Sequence, residues 1–231
     1  RGDDPMDPES KVYNSFISDS GEGRQSYQKH HLVILGEFIP DLPFLRDLYY
    51  DAAGVEFGNG ITSGNSFEPL GVKIGGQEVG MMPSICFEDT VPRVTRRFVR
   101  NESQFLVNIT NDGWFGETEG ASQHFRNSIF RTIELRRPMV RCANRGVTGV
   151  ISAAGSLVDP YTKEKRHLVD MDGSHFHRGY LLASFYIPAE GQVTLYAAFG
   201  DWFAATGLIV GFLWMLFCLV GKKVLSRKPL A

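Results

Sequence analysis

Residues 83–89 present a cysteine in a pattern that suits nucleophilic chemistry. An apolar run ending at Ile85 predicts a buried strand, and acidic residues follow closely after Cys86. A sharp turn at the end of a strand exposes a side chain, and the N-terminus of a following helix favours a thiolate. Cys86 is therefore a candidate nucleophile. The alternative is a buried structural cysteine, because free cysteine is among the most buried residue types.

Three charged side chains at predicted strand ends could activate such a thiol. A cysteine with an ordinary pKa of about 8.5 needs a base or a cation beside it to attack at neutral pH. Lys29 lies on an otherwise largely apolar predicted strand, and Glu37 follows a glycine at its end. Glu88 comes two residues after Cys86. Each could instead be a solvated surface charge, so it is their combination with a strand-end cysteine that favours a catalytic site.

Strands that alternate with a few helices must position these residues. The apolar patterns predict strands over 12–18, 27–35, 72–74, 78–85, 105–110, 139–143, 148–152, 167–170 and 180–187. They predict helices over 40–50, 90–100 and 123–136. Together these elements indicate an α+β fold or a layered α/β sandwich.

Composition argues against several other classes of protein. The 231 residues carry a net charge of −2, which gives no signature of nucleic-acid binding. The cysteines Cys86, Cys142 and Cys218 are spaced for neither a disulfide framework nor a zinc motif. The histidines at 30, 31, 175 and 177 lack partners at ligand spacing, so no metal is expected. The chain begins at Arg1 with a polar run, and we expect a fragment that lacks its natural N-terminus.

The C-terminal region predicts a membrane span. No charged residue occurs from Trp202 to Gly221. About 20 residues at about 1.5 Å each cross a hydrocarbon core of about 30 Å. A buried core helix is the alternative, but such a helix seldom lacks polar residues for so long. Basic residues follow the run, and the positive-inside rule then places the tail in the cytoplasm and residues 1–200 on the outer side.

Five motifs in order resemble one known family. The sequence Y-Q-K-H-H-L-V-I-L-G-E-F-I-P over 27–40 and I-C-F-E over 85–88 are similar to the lysine and nucleophile motifs of apolipoprotein N-acyltransferases. These enzymes are a membrane-anchored branch of the nitrilase, or carbon–nitrogen hydrolase, superfamily. Further segments over 108–116, 123–125 with 134–138, and 141–148 follow in the same order as in that family.

The resemblance implies a fold and a set of site residues. The fold would be α/β, a partial nitrilase-like αββα sandwich over 1–198, followed by a transmembrane helix with a basic tail over 199–231. The family's catalytic machinery is a Glu–Lys–Cys triad. Cys86 would be the nucleophile, Lys29 would stabilise the charge of a tetrahedral intermediate, and Glu37 would support the lysine. The pocket would be shaped by Glu88, Phe87, Trp114 and Asn111.

The resemblance also implies a reaction and a location. Cys86 would take an acyl chain from a phospholipid as a thioester and pass it to the lipidated N-terminal cysteine of an apolipoprotein, without a cofactor. The protein would lie in a bacterial inner membrane, with its catalytic domain on the periplasmic side.

Some residues depart from the family pattern. The family's general-base glutamate lies several tens of residues upstream of the lysine motif, whereas Glu9 lies too near Lys29 to take that role. We therefore expect the base to be missing from this chain, and the chain by itself to be inactive. Phe87 stands where the family has tyrosine. The alternatives are a membrane-tethered amidase with water as the acceptor, and a degenerate fragment without activity.

Overall fold

The computed structural model describes residues 10–20, 23–53, 60–116, 118–168, 174 and 178–225. A two-stranded sheet, a five-stranded sheet and several helices precede one long apolar helix. The mixed α/β architecture agrees with the fold class expected from the sequence. Glu9 lies outside the described residues.

The five-stranded sheet has the order β3-β4-β5-β6-β7. Its strands are β3 Leu70–Ile74, β4 Gln77–Ile85, β5 Gln104–Asn111, β6 Met139–Asn144 and β7 Gly149–Ile151. The outer pairs β3–β4 and β6–β7 are antiparallel, whereas β4, β5 and β6 run parallel. The carboxyl ends of these three parallel strands therefore meet at one edge of the sheet.

Short helices follow the parallel strands at that edge. After β4 comes a 3₁₀ turn, Cys86–Thr90, which we call the cysteine turn; after β5 comes another, Asp112–Phe115, the tryptophan turn. The crossovers are completed by the short helix α2, Pro92–Thr95, and by the longer helix α3, Glu119–Leu135. Both turns are therefore presented side by side by neighbouring parallel strands.

The core lies between this sheet and the elements packed on it. The last five residues of β4 are all buried, as expected of a strand covered on both faces. Helix α3 is capped at its N-terminus by Thr118, whose side chain accepts a hydrogen bond from the Gly120 N–H. It is capped at its C-terminus by Arg136, which adopts a left-handed conformation with φ of 53°. The predicted helix over 123–136 is thus confirmed and extended by one turn towards the N-terminus.

The two-stranded sheet differs from the expected one. It pairs β1, Ser15–Asp19, with β2, Arg24–Gln28, in antiparallel fashion. The predicted strand over 27–35 is wrong beyond residue 28, and Lys29 therefore follows the strand. The physical reason is that the backbone N–H groups of His30 and His31 donate to the Glu88 carboxylate instead of to a neighbouring strand.

Three other elements also differ from the expected ones. The helix predicted over 40–50 is α1, Pro43–Ala53. The helix predicted over 90–100 is broken into α2 and a 3₁₀ turn, Arg96–Phe98. Residues 180–187 form no strand, although Phe185 and Ile187 pack on the core while Leu182 and Tyr186 are exposed. This alternation of packed and exposed side chains is typical of a half-buried strand, but residues 180–187 pair with no strand in the described part of the chain.

The C-terminal part consists of α4, Leu195–Phe199, and α5, Trp202–Leu225. Residues Trp202–Val220 form a stretch of 19 residues with a mean hydropathy of 2.3, and none of it is buried. A core helix of this composition would be covered by the rest of the protein. By length and composition, α5 can cross a membrane.

Candidate active site

Cys86 lies in a constrained conformation at the end of β4. Its φ is +52°, a left-handed value that is uncommon for a residue with a side chain. Its carbonyl accepts a hydrogen bond of 3.1 Å from the Asn108 Nδ2 on the adjacent strand β5. The side chain is partly buried against the core. The strand-end turn expected at this cysteine is present, and strain of this kind is concentrated at functional sites.

Lys29 and Glu37 form an ion pair. The Lys29 Nζ lies 2.8 Å from Glu37 Oε1 and 2.7 Å from Oε2, and the lysine is only 1% exposed. Asn14 Nδ2 donates to Glu37 Oε1 at 3.0 Å, and the Val33 N–H donates to Oε2 at 2.9 Å. Partial burial alone would raise the pKa of Glu37, but these donors outweigh it and hold the pKa below its usual value. The carboxylate is therefore charged at neutral pH.

Glu88 joins residues 27–37, which contain Lys29 and Glu37 and which we call the lysine segment, to the cysteine turn. It is fully buried, and its Oε1 accepts hydrogen bonds from the Tyr27 hydroxyl at 2.7 Å and from the N–H groups of His30 at 2.7 Å and His31 at 2.9 Å. Its Oε2 accepts from the Ile85 N–H at 2.8 Å. The Glu88 carboxylate therefore accepts hydrogen bonds from residues on both sides of Lys29 and from Ile85, the residue directly before Cys86.

The ionisation of Glu88 is shifted by its surroundings. Burial raises its pKa above the usual value, although the four donors oppose this effect. Burial and the neighbouring Glu88 also raise the pKa of Tyr27, which therefore stays a hydrogen-bond donor.

The other predicted pocket residues lie on the two turns. Phe87 is 42% exposed and stacks on the His31 ring, with centroids 6.5 Å apart. Trp114 is 86% exposed on the tryptophan turn. Asn111 precedes that turn, and its Oδ1 accepts from the Gly113 N–H and from the Asn144 Nδ2, each at 3.2 Å. The edge that carries Cys86 therefore also carries exposed aromatic surface.

A buried ionic cluster lies behind the two turns. Its members are Asp89 from the cysteine turn, Asp112 from the tryptophan turn, His124 from α3 and Arg141 from β6. The two nitrogens of His124 lie 2.8 Å from Asp112 Oδ1 and 2.8 Å from Asp89 Oδ1. Arg141 binds the second oxygen of each carboxylate. We call these four residues the ionic cluster.

The charges of the ionic cluster balance. Burial and the nearby Arg141 oppose protonation of His124, but the hydrogen bonds and charges of Asp112 and Asp89 outweigh them and raise its pKa to about 9. Hydrogen bonds from His124 and Thr110, with the charge of Arg141, lower the pKa of Asp112 against the effect of burial. At neutral pH two carboxylates therefore face an imidazolium and a guanidinium.

Sequence reasoning missed the residues that support the site. Asn14, Tyr27 and Asn108 were assigned no role, nor were the four members of the ionic cluster. For two of these residues the sequence carries a signal that they lie close together: Asp89 and Asp112 both follow predicted buried strands at the same edge of the sheet. The partners from α3 and β6 carry no such signal.

Neither metal ligands nor a second cleft contributes to this edge of the sheet in the described part of the chain. No group of three metal-ligating side chains that could hold a metal occurs within the described part of the chain, and His175 and His177 lie outside it. A cleft of about 790 Å³ is lined by polar residues near the start of β4, among them Arg24, Glu78 and Arg100. It lies at the end of β4 opposite Cys86, so it is separate from the candidate site.

The arrangement supports nucleophilic chemistry. The sequence-predicted Lys29 and Glu37 are in direct contact, and Glu88 ties their segment to the turn of Cys86. A buried ammonium held by one carboxylate can stabilise an oxyanion that develops nearby.

Comparison with known proteins gives relatives for most of the chain. An apolipoprotein N-acyltransferase of Thermotoga maritima is 32% identical over 208 residues, covering 89% of this chain and 36% of that protein. One of Pseudomonas aeruginosa strain LESB58 is 33% identical over 212 residues, covering 91% and 37%. One of Geobacter metallireducens is 38% identical over 153 residues, covering 64% and 27%. The matched part of the chain thus spans between about a quarter and a little more than a third of the length of these relatives.

A solved structure and a family description also match. The crystal structure of a carbon–nitrogen hydrolase from Helicobacter pylori G27 aligns with a TM-score of 0.43 and 15% identity, covering 67% of this chain and 54% of that one. The description of the carbon–nitrogen hydrolase family matches residues 8–210, which include the cysteine turn, the lysine segment and all seven strands. This chain belongs to the carbon–nitrogen hydrolase family.

Proposed function

We propose that this chain carries the catalytic residues of a membrane-bound N-acyltransferase that acts on bacterial lipoproteins. The observation that carries the proposal is the buried Lys29–Glu37 pair, which Glu88 ties to the turn of a strand-end cysteine. The relatives that match most of the chain are named apolipoprotein N-acyltransferases, which supports the substrate class.

The first half-reaction forms a thioester on Cys86. The Sγ attacks the carbonyl carbon of a phospholipid ester, and the thiol proton passes to a general base. Lys29 stabilises the oxyanion of the tetrahedral intermediate. The carbon–oxygen bond of the ester then breaks, and the lysophospholipid alkoxide leaves with the proton that the base returns.

The second half-reaction transfers the acyl group. The α-amine of a lipoprotein's lipidated N-terminal cysteine attacks the thioester carbonyl and gives up a proton to the base. The carbon–sulfur bond breaks, so an amide forms and the thiol is regenerated. Such a ping-pong sequence needs both substrates at one edge of the sheet, and the exposed Phe87 and Trp114 provide apolar surface there for acyl chains.

The general base is expected outside the described residues. Within them, Glu37 is the carboxylate that contacts the Lys29 ammonium, and it is already engaged by three donors. A second glutamate upstream of the lysine segment would complete the triad.

The proposed location follows from α5. Residues 1–198 would form the catalytic domain and residues 199–231 the membrane helix with its tail. Basic residues after the apolar stretch would hold the C-terminus in the cytoplasm and place the catalytic domain on the periplasmic side of the inner membrane. Both proposed substrates are held in that membrane.

Trapping the thioester tests the proposed function. The full-length protein in detergent is incubated with phospholipid, and the peptide containing Cys86 is examined by mass spectrometry. We expect the mass of an acyl chain to be added to this peptide. When a diacylglyceryl lipopeptide is then supplied, the acyl chain should be transferred to it and the added mass should disappear. The adduct should be lost in Cys86→Ser and retained in Cys142→Ser, which changes an exposed cysteine elsewhere.

Two results would contradict the proposal. An adduct that persists in Cys86→Ser would exclude this cysteine as the nucleophile. Release of ammonia from small amides without acyl transfer to the lipopeptide would favour the amidase alternative.

A further inference from the structure

The ionic cluster connects four elements at the edge that carries Cys86. Asp89 lies three residues after the nucleophile in the cysteine turn, and Asp112 begins the tryptophan turn. His124 lies between them and contacts both carboxylates at 2.8 Å. Together with Arg141, which binds the second oxygen of each carboxylate, the ring therefore links two turns that belong to separate crossovers.

A second path runs from the cluster to the backbone of Cys86. Arg141 Nη1 donates to Asn108 Oδ1 at 2.8 Å, and Asn108 Nδ2 donates to the Cys86 carbonyl at 3.1 Å. The same amide donates to Ser84 Oγ at 3.0 Å. The left-handed conformation of Cys86 is thus held by hydrogen bonds that lead back to Asp89 and Asp112 through Arg141.

We propose that His124 is a positioning residue for the Cys86 nucleophile, acting as a cationic bridge that fixes the cysteine turn against the tryptophan turn. This inference rests on the proposed role of Cys86. Only an imidazolium donates from both nitrogens, so only the protonated ring can bond both carboxylates at once. Without the bridge, the backbone at Cys86 relaxes from its φ of +52° towards an ordinary value, which changes the direction of the thiol.

The bridge depends on pH through the groups around the ring. His124 faces the carboxylates of Asp89 and Asp112 and the guanidinium of Arg141, and it packs beside the rings of Phe87 at 6.2 Å and Phe115 at 6.0 Å. Since the two carboxylates raise the pKa of His124 to about 9, the bridge is present at neutral pH and is lost as pH rises through that value.

The test measures the rate constant for alkylation of Cys86 by iodoacetamide. The full-length protein in detergent is sampled over time, and peptide mass spectrometry separates Cys86 from Cys142. At neutral pH we expect His124→Gln to react about tenfold more slowly than the wild type, because the turn no longer holds the thiol in one reactive direction. As pH rises past about 9 the two rate constants should converge, because the wild-type ring is then neutral as well.

A matched control comes from the same helix. Ser128 is buried one turn after His124, and its hydroxyl donates only within α3, to the Phe125 carbonyl. Ser128→Ala should keep the wild-type rate constant at every pH. A rate constant is also independent of the fraction of folded protein, since unfolded chains react in a separate phase.

A milder variant covers the case in which His124→Gln does not fold. Thr110→Val replaces the hydroxyl that donates to Asp112 at 2.9 Å with a methyl group, and it should slow alkylation about two- to threefold. The positioning role would be overturned if both variants kept the wild-type rate constant. It would also be overturned if the rate constant of His124→Gln stayed a constant fraction of the wild-type value at every pH. If His124→Gln is alkylated more slowly than the wild type but the wild type forms no acyl thioester, the positioning role stands and the proposed function is rejected.

Discussion

At the scale of single residues, the buried charge of Lys29 dominates the site. Its ammonium is 1% exposed and depends on Glu37, which is 15% exposed, for its counter-charge. An ammonium removed from water without a partner is unstable, so the pair is far more sensitive to the loss of one member than to the loss of both. An exposed pair of similar geometry lacks this sensitivity because water replaces the missing partner.

The Lys29–Glu37 pair gives a prediction about stability. Glu37→Gln should lower the free energy of unfolding by roughly 3 kcal/mol, because it leaves the buried ammonium without a counter-charge. The double variant Lys29→Met with Glu37→Gln should be more stable than Glu37→Gln alone. Urea unfolding followed by circular dichroism measures both values.

The control for this prediction is the exposed pair of Arg100 and Glu68. Their side chains are 35% and 76% exposed and 3.1 Å apart. Glu68→Gln should cost less than about 1 kcal/mol. Equal losses in Glu37→Gln and Glu68→Gln would show that burial of Lys29 does not govern its pairing.

At the scale of elements, the site depends on three turns that meet at one sheet edge. The cysteine turn and the tryptophan turn are joined by the ionic cluster. The turn between β6 and β7 packs on the tryptophan turn. Gly146 in that third turn is buried against Asp112. A Cβ at Gly146 would lie 2.3 Å from Asp112 Oδ2, so a side chain there is excluded by contact.

This close approach gives a prediction for Gly146→Ala. The added methyl group should displace Asp112 and lower the free energy of unfolding by roughly 1–3 kcal/mol. Thermal unfolding measures the change. Gly75→Ala is a less suitable control because its φ is +60°, whereas a Cβ at Gly207 in α5 would meet nothing within 4 Å. Gly207→Ala should therefore not lower the unfolding temperature, since alanine also favours a helix more than glycine does. A Gly146→Ala variant as stable as the wild type would mean that the turn adjusts without cost.

At the scale of the whole molecule, the chain leading to α5 is docked on the α/β part. Thr194 Oγ1 donates to the Glu134 carbonyl at 2.5 Å, and Arg96 Nη1 donates to the Ala197 carbonyl at 3.1 Å. The buried Arg137 donates to the Gln192 carbonyl at 3.1 Å. The apolar helix therefore starts at a defined place on the α/β part, as the proposed reaction of membrane-held substrates would require.

The proposed orientation predicts opposite sides for the two ends. Cys142 is exposed on β6, so in spheroplasts a membrane-impermeant maleimide should label it. A fluorescent protein fused after Ala231 should fluoresce, whereas alkaline phosphatase at the same position should be inactive because it requires the periplasm. Labelling of Cys142 only after lysis, or an active phosphatase fusion, would contradict the orientation.

The sequence by itself determined the features that depend on local pattern. The apolar run of β4 ending at Cys86 predicts both the strand and the turn, and both are present. The helical spacing of α3 and the uncharged stretch of α5 predict their helices for the same reason. Lys29 and Glu37, which the family resemblance pairs, are in contact across a separation of eight residues in the sequence.

Only the tertiary structure decided what depends on long-range contacts. The strand expected through residue 35 ends at Gln28, because a carboxylate 58 residues from His30 takes up its N–H group. The ionic cluster joins Asp89 to an arginine 52 residues away and could not be read from spacing. The physical reason is that a buried charge must be paired with a group that lies close to it in space, whatever their separation in the sequence. Parallel strands bring distant parts of the chain to one edge of the sheet.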